Sequence, residues 1–312
     1  MLSAASDGDR GALARLLSLV ERGGQPSRDT AALAYRSGRE AATVGITGAP
    51  GAGKSTLVDR LVATIRRQGT EVAVLAVDPS SPFSGGAILG DRVRMQSHAL
   101  DDGVFIRSMA TRGHMGGLAL AVPEALRVLA AAGLPLLLVE TVGVGQVEVE
   151  VASATDTTVV VVNPRWGDAI QANKAGLLET ADVFVVNKAD NAGAAETRRD
   201  LEQMLDLSAP TQWRPPIVET VATSGQGVDQ LWAEIGRHQQ HLVSGGGLER
   251  RRRRRLEREF RAVLAARVEL DVEEMLRGGE VKGLVDEVVD HRLDPYAAAD
   301  RALAVVMGRS VG

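Results

Sequence analysis

One motif constrains the fold of this chain more than any other feature, the pattern Gly-x-x-x-x-Gly-Lys-Ser that begins at Gly48. An apolar run, Thr43–Thr47, precedes it, and a segment with helical periodicity follows it. A strand, a glycine-rich turn and a helix in this order are the setting in which backbone N–H groups and a helix dipole bind phosphate. The motif therefore predicts a phosphate-binding loop. Its residues are Gly48, Ala49, Pro50, Gly51, Ala52, Gly53, Lys54, Ser55 and Thr56.

Three side chains of this loop are each expected to make a different contact with the ligand. Lys54 is expected to reach the β- and γ-phosphates of a nucleotide, and Thr56 is expected to contact phosphate. The hydroxyl of Ser55 is expected to ligate Mg²⁺, a hard cation that takes oxygen ligands. The glycines let the backbone wrap closely around the phosphates. The loop therefore predicts a bound nucleotide together with magnesium.

Short apolar runs alternate with helical stretches between residues 43 and 223. Several of these runs are apolar throughout, as expected for parallel strands that are covered on both faces. The alternation predicts an α/β fold of the P-loop NTPase type, with a doubly wound, mostly parallel sheet that binds its ligand beyond the carboxyl ends of the strands. The predicted strands are Thr43–Thr47, Val72–Val77, Val104–Ser108, Pro135–Glu140, Thr157–Asn163, Asp182–Asn187 and Pro216–Ala222.

Helical segments flank this core on both sides, so the sequence predicts three parts. Residues 1–41 form an N-terminal helical extension, in which leucines recur at helical spacing. Residues 42–242 form the nucleotide-binding domain, which a helix over Val228–His241 closes. A glycine-rich break follows, and residues 243–312 form a helical C-terminal region that we expect to contribute to a dimer.

Composition narrows the classes of function. The 312 residues contain no cysteine, which excludes disulfides, thiolate metal sites and cysteine nucleophiles. A net charge of -4 gives no general attraction to nucleic acid or anionic lipid. The N-terminus lacks the pattern of a signal peptide, and no run approaches the roughly 20 apolar residues that a membrane span needs. We therefore expect a cytoplasmic protein whose partner is neither a nucleic acid nor a membrane.

Acidic residues follow two of the predicted strands, near the expected phosphates. Asp78 follows an apolar strand, Asp91 lies a short distance beyond it, and Glu140 ends the most apolar strand of the chain. These carboxylates can ligate Mg²⁺ together with Ser55, and Asp78 or Glu140 can also orient the attacking nucleophile. Gly143 can donate its N–H group to a γ-phosphate, which would couple the position of its loop to the nucleotide state.

Asn187-Lys188-Ala189-Asp190 follows another apolar strand and is the guanine-reading sequence of GTPases. Asp190 can accept hydrogen bonds from N1–H and the exocyclic amine of guanine. Adenine has neither donor in that place, so it would leave the carboxylate unpaired. Lys188 can lie over the base or brace the phosphate loop. This sequence therefore predicts GTP rather than ATP.

A second loop that contacts the base is expected after the last predicted strand. GTPases place a backbone N–H group near guanine O6 there, and the corresponding residues are Val221, Ala222 and Thr223. The predicted reaction is the hydrolysis of GTP to GDP by in-line attack of water on the γ-phosphate. Lys54, the N–H groups of the phosphate loop and Mg²⁺ would stabilise the charge that spreads over the transferred group.

Four further segments are more specific, namely Val77–Ser81, Gly85–Asp91, Glu140–Gln146 and Gly167–Gln171. They resemble the MeaB/ArgK-type GTPases, which are G-protein chaperones associated with methylmalonyl-CoA mutase. The resemblance implies slow GTP hydrolysis and binding to an adenosylcobalamin-dependent acyl-CoA mutase. It also implies that the nucleotide state gates cofactor loading and protects or reactivates the mutase, and that the protein is a homodimer.

The resemblance assigns roles to individual residues as well. Asp78, Asp91 and Glu140 match the magnesium-site acids of the family, and the loops after Asp78 and after Glu140 match its first two switches. Pro164–Lys174 matches a third switch that communicates with the mutase. Its matching positions are Asp168, Gln171 and Lys174.

This third switch departs from the commoner pattern of the family. Arg165-Trp166 replace the frequent small residues after the proline, and Ala169 stands where an acidic residue is usual. The resemblance therefore leaves the identity of the mutase open.

Two groups of basic residues outside these motifs have more than one interpretation. Arg107 or Arg112 can serve as a built-in arginine finger, although a surface arginine is the commoner case, and His114 is a weaker candidate for a general base. The run Arg250–Arg255 lacks interleaved aromatic residues and is followed by acids at helical spacing. It predicts a solvated or dimer-contacting helix face rather than a nucleic-acid site.

Two alternative functions remain. One is a nickel- or other metal-delivery GTPase, a class that usually needs clusters of cysteine or histidine, whereas this chain has no cysteine and five scattered histidines. The other is a kinase that phosphorylates a small molecule or a protein. No separate motif for binding such an acceptor is visible.

Overall fold

A computed structural model describes most of the chain. The chain divides into two compact units, Met1–Glu259 and Phe260–Gly312, and the first unit contains the sheet. The division into three parts at residues 41 and 242 stays a prediction. The residues that the structure describes are 1–78, 96–98, 100–110, 117–141, 147–164, 180–208, 212–277 and 279–306.

The core of the first unit is a parallel sheet built from the predicted strands. These strands are β1 (Ala42–Gly48), β2 (Val72–Asp78), β3 (Val104–Ala110), β4 (Leu136–Thr141), β5 (Thr157–Val162), β6 (Val183–Asn187) and β7 (Ile217–Thr220). They are ordered β3-β2-β4-β1-β5-β6-β7, and each neighbouring pair is parallel. The doubly wound α/β fold is therefore confirmed.

Helices cover both faces of the sheet in the first unit, and the second unit is also built from helices. In the first unit they are α1 (Leu2–Ser6), α2 (Arg10–Arg22), α3 (Gly24–Arg36), α4 (Lys54–Arg67), α5 (Gly117–Ala131), α6 (Val147–Ala154), α7 (Ala194–Leu207) and α8 (Val228–Ser244). Helix α9 (Gly247–Arg277) begins in the first unit and ends in the second, which also holds α10 (Gly279–Val289) and α11 (Pro295–Val306).

The central strands are buried because helices cover both of their faces. Every residue of β4 and of β5 is buried. Helices α4, α7 and α8 supply apolar side chains to one face of the sheet, and α1, α2, α3, α5 and α6 supply them to the other. Each fully buried Val, Leu or Ile side chain contributes roughly 1.5–3 kcal/mol of transfer free energy, so these two aliphatic layers stabilise the fold with few aromatic residues.

The N-terminal extension forms helices that pack against the second of these layers. Helix α2 begins after Asp9, whose Oδ1 accepts a hydrogen bond from the N–H of Ala12 at 2.9 Å and so caps the helix. Its buried face consists of Leu13, Leu16, Leu17 and Val20, as their spacing predicts. Helix α1 was not predicted, because five residues are too few to show a period. Helix α3 ends at Arg36, before the end of the predicted extension at residue 41.

The arginine run lies in α9 and contacts buried carboxylates. Arg251 makes two hydrogen bonds with Asp182, at 2.8 and 2.6 Å, while Arg252 and Arg255 bind Asp156 at 3.1 and 2.5 Å. Both aspartates adjoin the amino ends of β5 and β6 and are almost fully buried. Buried carboxylates require partners. The prediction of a solvated or dimer-contacting face is therefore wrong for these three arginines.

In the second unit, the start of α11 follows from local sequence. Oδ1 of Asp294 accepts hydrogen bonds from the N–H groups of Tyr296 and Ala297, both at 3.0 Å, and Pro295 occupies the first helical position. Within the described parts of the chain, none of the helices has both the length and the apolar character that crossing a membrane requires.

Candidate functional site

The phosphate loop connects the carboxyl end of β1 to Lys54, the first residue of α4. Gly48 has a φ of +135°, and a Cβ atom there would lie 2.0 Å from the carbonyl oxygen of Val161. Gly53 has a φ of +88°, and its Cβ would lie 2.5 Å from Nδ2 of Asn187. Both positions therefore require glycine, for conformation and for space. The loop leads into the amino end of α4, where N–H groups and the helix dipole favour an anion.

Lys54 lies inside the loop that it is predicted to serve. Its Nζ donates hydrogen bonds to the carbonyl oxygens of Gly48 at 2.9 Å and of Ala49 at 3.1 Å. The residue is only 7% exposed, and a buried ammonium group needs such partners because its desolvation is costly. The positive charge of Lys54 and the N–H groups of the loop therefore lie close together. A polyanion could bind to both.

Ser55 and Glu140 bring a hydroxyl and a carboxylate together beside this loop. The Oγ of Ser55 donates to Oε1 of Glu140 at 2.5 Å, and both residues are buried. Next to Glu140, the Oγ1 of Thr141 donates to Oγ1 of Thr47 at 3.2 Å, which ties the end of β4 to the end of β1. Hydroxyl and carboxylate oxygens are the ligand atoms that Mg²⁺ prefers, so Ser55 and Glu140 fit the predicted cation.

Other predicted site residues lie partly or wholly outside the described residues. Asp78 is the last residue of β2, which pairs with β4, but its side chain is not among those described. The positions outside the described ranges are Asp91, Arg112, His114, Gly143, Asp168, Gln171 and Lys174.

Asn187, at the end of β6, joins the two loops that are predicted to bind the nucleotide. Its Nδ2 donates to the carbonyl oxygen of Ala52 in the phosphate loop at 2.7 Å. Its Oδ1 accepts hydrogen bonds from the N–H of Ala222 at 3.1 Å and from Oγ1 of Thr220 at 3.0 Å. The side chain is fully engaged in a buried network, so it fixes the distance between the phosphate loop and the loop after β7.

The remaining residues of the guanine-reading sequence follow Asn187 in an exposed turn. Lys188 has a φ of +59°, an uncommon conformation for a residue with a side chain. The N–H of Ala189 donates to the carbonyl oxygen of Thr220 at 3.0 Å, which fixes this turn against the end of β7. Lys188 and Asp190 are both exposed, so their side chains are accessible to a ligand at the carboxyl edge of the sheet.

Helix α4 contacts the loop after β7 through a residue that the sequence reasoning missed. Arg60 donates from Nε to the carbonyl oxygen of Ala222 at 3.2 Å and from Nη2 to that of Thr223 at 2.8 Å. One and two turns later, Thr64 and Arg67 bind Oδ1 of Asp229 at 3.0 and 2.7 Å. The signal in the sequence is the spacing of these polar residues at positions i, i+4 and i+7, which places them on one helix face.

Arg107 does not contribute an arginine finger. It lies within β3, and its Nη2 donates to Oε2 of Glu21 at 2.9 Å and to Oγ of Ser18 at 3.0 Å, both on α2. The guanidinium therefore holds the N-terminal extension against the sheet. Of the two interpretations, the arginine finger does not fit Arg107, because a strand position and a nearby carboxylate determine where its side chain lies.

Comparison with known proteins agrees with this geometry. The family model for the methylmalonyl-CoA mutase-associated GTPase MeaB matches residues 13–276. A Pyrococcus abyssi protein, whose name assigns it provisionally to the GTPases, is 48% identical over 305 residues, which are 96% of this chain and 94% of that protein. The mouse mitochondrial homolog of methylmalonic aciduria type A is 37% identical over 214 residues, which are 67% of this chain and 52% of that protein.

A solved structure extends the likeness to the whole chain. The crystal structure of an LAO/AO transport system kinase superposes with a TM-score of 0.69 at 25% identity, and the match covers 98% of this chain and 96% of that one. The P-loop fold and the GTPase names of the relatives together support GTP hydrolase activity. The extent of the family match and the identity to these relatives show that the chain belongs to the MeaB family of methylmalonyl-CoA mutase-associated GTPases.

Proposed function

We propose that this GTPase binds GTP with Mg²⁺ between the phosphate loop and the two base loops, and that its nucleotide state controls an adenosylcobalamin-dependent acyl-CoA mutase. The observation that carries the nucleotide assignment is the hydrogen bonding of Asn187, which joins Ala52 to Ala222. One buried side chain thus holds the loop proposed to bind phosphate beside the loop proposed to contact the base, which supports a single site for both parts of a nucleotide.

For the base, we propose that Asp190 accepts hydrogen bonds from N1–H and the exocyclic amine of guanine. Lys188 lies along the base, and the segment Val221–Thr223 supplies backbone contact to guanine O6. An adenine would leave the carboxylate of Asp190 unpaired, which costs about 1–3 kcal/mol or more for a charged group. This difference is the source of the proposed preference for GTP.

For the reaction, we propose that Lys54 and the amide groups from Gly48 to Thr56 bind the β- and γ-phosphates and stabilise the charge of the transition state. Ser55 and Glu140 would hold Mg²⁺, with Asp78 and Asp91 as further carboxylates. When bound, the cation neutralises phosphate charge. Glu140 or Asp78 orients the attacking water, and Gly143 donates its N–H to the γ-phosphate.

For the partner, we propose a mutase of the methylmalonyl-CoA mutase type, whose cofactor loading and reactivation depend on the nucleotide state. The name of the matching family and that of the mouse relative support this assignment. Asp168, Gln171 and Lys174 are the proposed contacts, within the third switch. We place this partnership in the cytoplasm.

We also propose that the protein is a homodimer through its C-terminal unit. The second half of α9 exposes large apolar side chains at helical spacing, and a second copy of the chain would cover them. These residues are Phe260, Val263, Leu264 and Val268. Sedimentation of the full chain should give a dimer mass, and a Phe260→Glu, Leu264→Glu variant should give a monomer mass. A monomeric wild type contradicts the proposal.

The nucleotide assignment is tested by release of phosphate from GTP and ATP and by binding of fluorescent GDP. We expect hydrolysis of GTP in preference to ATP, and loss of tight binding in Lys54→Ala. Lys282→Ala, which removes an exposed lysine from α10, is the matched control and should bind as the wild type does. Unchanged affinity in Lys54→Ala would count against this site.

The partnership is tested with cobalamin-dependent acyl-CoA mutases from the same cell. A mutase inactivated during turnover should recover when this protein, free cofactor and GTP are added, and it should not recover with a non-hydrolysable GTP analogue. Failure to bind or reactivate any such mutase would refute the chaperone role and leave the GTPase assignment intact.

The solved relative is named as a transport system kinase, and this name favours one second candidate. A kinase would transfer the γ-phosphate of GTP to an acceptor. Incubation with γ-labelled GTP and a cell extract distinguishes the two functions, because a hydrolase yields only labelled inorganic phosphate. A small molecule or protein that becomes labelled only when this protein is added would establish the kinase function instead.

A further inference from the structure

A cavity of about 340 Å³ lies at the amino ends of β1 and β4, whereas the phosphate loop follows the carboxyl end of β1. The end of α3, the middle of α5 and the first part of α9 surround it, all within the first unit. We call it the rear cavity. Its volume falls in the usual range for small-molecule sites, and no residue of the proposed nucleotide site lines it.

The charged part of the lining is rich in arginine. Arg39, Arg127, Arg252 and Arg255 line the cavity together with the two carboxylates of Glu40 and Glu259. Both carboxylates already have arginine partners: Arg127 binds both oxygens of Glu259, at 2.8 and 2.6 Å, and Arg252 contacts Glu40.

Behind this lining, the buried Asp156 is shared by Arg252 and Arg255. The lining itself therefore holds four guanidinium groups and two carboxylates, with Asp156 and Glu124 as further carboxylates behind it. Burial, and then the neighbouring charge of Arg255, lower the pKa of Arg252. The remaining arginine, Arg39, donates to the carbonyl oxygen of Ala131 at 3.4 Å.

Arg255 also presents a buried donor without an acceptor. Its Nη2 binds Asp156 at 2.5 Å, but its buried Nε has no hydrogen-bond partner within the described part of the chain. A buried N–H group left unpaired costs free energy comparable to a lost hydrogen bond. The Nε atom itself is closed off from solvent, so it shows that Arg255 is incompletely paired, and a ligand in the rear cavity meets other atoms of this side chain.

Most of the rest of the lining is apolar, although Tyr35 and Thr43 also line the cavity. Alanines and leucines from α3, α5, α6 and β4 form most of the apolar part, and the small size of the alanine side chains creates the space. These residues include Ala34, Leu126, Ala130, Leu137 and Ala154. A bare inorganic anion would leave this surface without a contact, whereas a short hydrocarbon chain would fill it and remove apolar surface from water.

We propose that the rear cavity binds a small aliphatic carboxylate. The carboxylate group accepts hydrogen bonds from Arg255 and Arg39, and the chain lies against the alanines. Arg39, which donates a hydrogen bond to a backbone carbonyl, is the guanidinium that a carboxylate would pair with. This site is separate from the proposed nucleotide site and does not depend on the partner that we propose for the protein.

The test is calorimetric titration of the full-length, GDP-loaded protein with hexanoate, hexanamide and inorganic phosphate. A hydrogen-bonded charge contributes about 1.5–3 kcal/mol, so we expect hexanoate to bind at least about tenfold more tightly than its neutral amide. Phosphate should also bind more weakly than hexanoate, because it lacks the chain. The GDP affinity of the same sample shows whether the nucleotide site is intact.

Two kinds of variant locate the ligand. Arg255→Met and Arg39→Met should each weaken hexanoate binding about tenfold. Arg253→Met is the matched control, since Arg253 lies in the same helix with an 83% exposed side chain and pairs with Glu257. Ala130→Leu fills the cavity without removing charge and should abolish binding. If Arg255→Met fails to fold, Ala130→Leu still tests whether hexanoate binds in the rear cavity.

Three outcomes would overturn the proposal. The absence of heat at millimolar hexanoate would mean that the cavity holds water only. Equal affinity for hexanoate and hexanamide would contradict recognition by the arginines. Wild-type affinity in Ala130→Leu would place the ligand elsewhere. None of these results affects the nucleotide assignment, which the GDP titration tests separately.

Discussion

Asn187 and Ala52 join the two halves of the proposed nucleotide site, since Nδ2 of Asn187 donates to the carbonyl oxygen of Ala52 at 2.7 Å. The Oδ1 of the same side chain accepts from the N–H of Ala222 at 3.1 Å and from Oγ1 of Thr220 at 3.0 Å. One buried amide therefore positions the phosphate loop and the loop after β7. If either loop moves, it loses its hydrogen bond to Asn187, and the two loops are then no longer held at a fixed distance from each other.

Replacing Asn187 by alanine should separate the two loops. The change leaves the buried groups of Ala52, Ala222 and Thr220 without their partner, so we expect a loss of roughly 2–4 kcal/mol in the free energy of unfolding. GDP should also dissociate much faster. Urea unfolding and the off-rate of a fluorescent GDP analogue measure the two effects. Asn191→Ala, at an exposed position of the following turn, should change neither, and equal effects of the two variants would contradict the role of Asn187.

Replacing Arg60 by methionine should loosen the loop after β7 from α4. Arg60 binds the carbonyl oxygens of Ala222 and Thr223 from an exposed position, so the effect should be modest, about three- to tenfold in GDP affinity. Hydrolysis of bound GTP in a single turnover should be unchanged, because the phosphate loop keeps its own contacts. Arg199→Met, which loses only a contact within its own helix, is the control. A slower chemical step with unchanged affinity would refute this assignment.

The sequence predicts the sheet well and these connections poorly, for physical reasons. Strands such as Leu136–Thr141 are covered on both faces, so a continuous apolar run identifies them. The partners of Asn187 and Arg60 are mostly backbone carbonyl and amide groups, which every residue carries. No pattern of side chains therefore marks them, and only the fold brings them together.

The arginine run Arg250–Arg255 is a second case in which the sequence predicts the local structure but not the contacts with distant residues. Its helical spacing to later acids indicates pairing within the helix, and Arg253 does pair with Glu257. Its neighbours Arg251 and Arg255 instead bind Asp182 and Asp156. Periodicity gives the conformation of α9 but not the surface on which it packs, so the long-range pairs could not be predicted.

Two glycines of the phosphate loop should respond differently to alanine. At Gly48, the added Cβ would lie 2.0 Å from the carbonyl oxygen of Val161, so the backbone must shift, and we expect a loss of about 3 kcal/mol or more and of GDP binding. At Gly51, with a φ of +69°, nothing lies within 4 Å of the added atom. Gly51→Ala should cost only the conformational strain, about 1–2 kcal/mol. Thermal unfolding and GDP titration of both variants check the difference, and equal losses would contradict it.

The stability of the protein in acid should depend on the buried carboxylate of Asp182. Burial by itself raises the pKa of Asp182, but hydrogen bonds from His238 and Arg251 outweigh it and hold the pKa below its ordinary value. A carboxyl group with a lowered pKa in the fold stabilises the protein at neutral pH. That stability is fully present above the ordinary value of about 3.9 and is lost as the pH falls through the folded value.

The Asp182→Asn variant tests this sign directly. Removing the charge leaves Arg251 without its carboxylate, and because that side chain is 37% exposed we expect a cost of about 2–3 kcal/mol at pH 7. The difference from the wild type should shrink as the pH falls below about 4, since protonation then removes the same charge from the wild type. Urea unfolding at several pH values measures it. Asp206→Asn, whose side chain is 66% exposed and binds Arg214 at the surface, should have little effect at any pH. A deficit in Asp182→Asn that persists unchanged in acid would show that packing, rather than charge, is what the aspartate contributes.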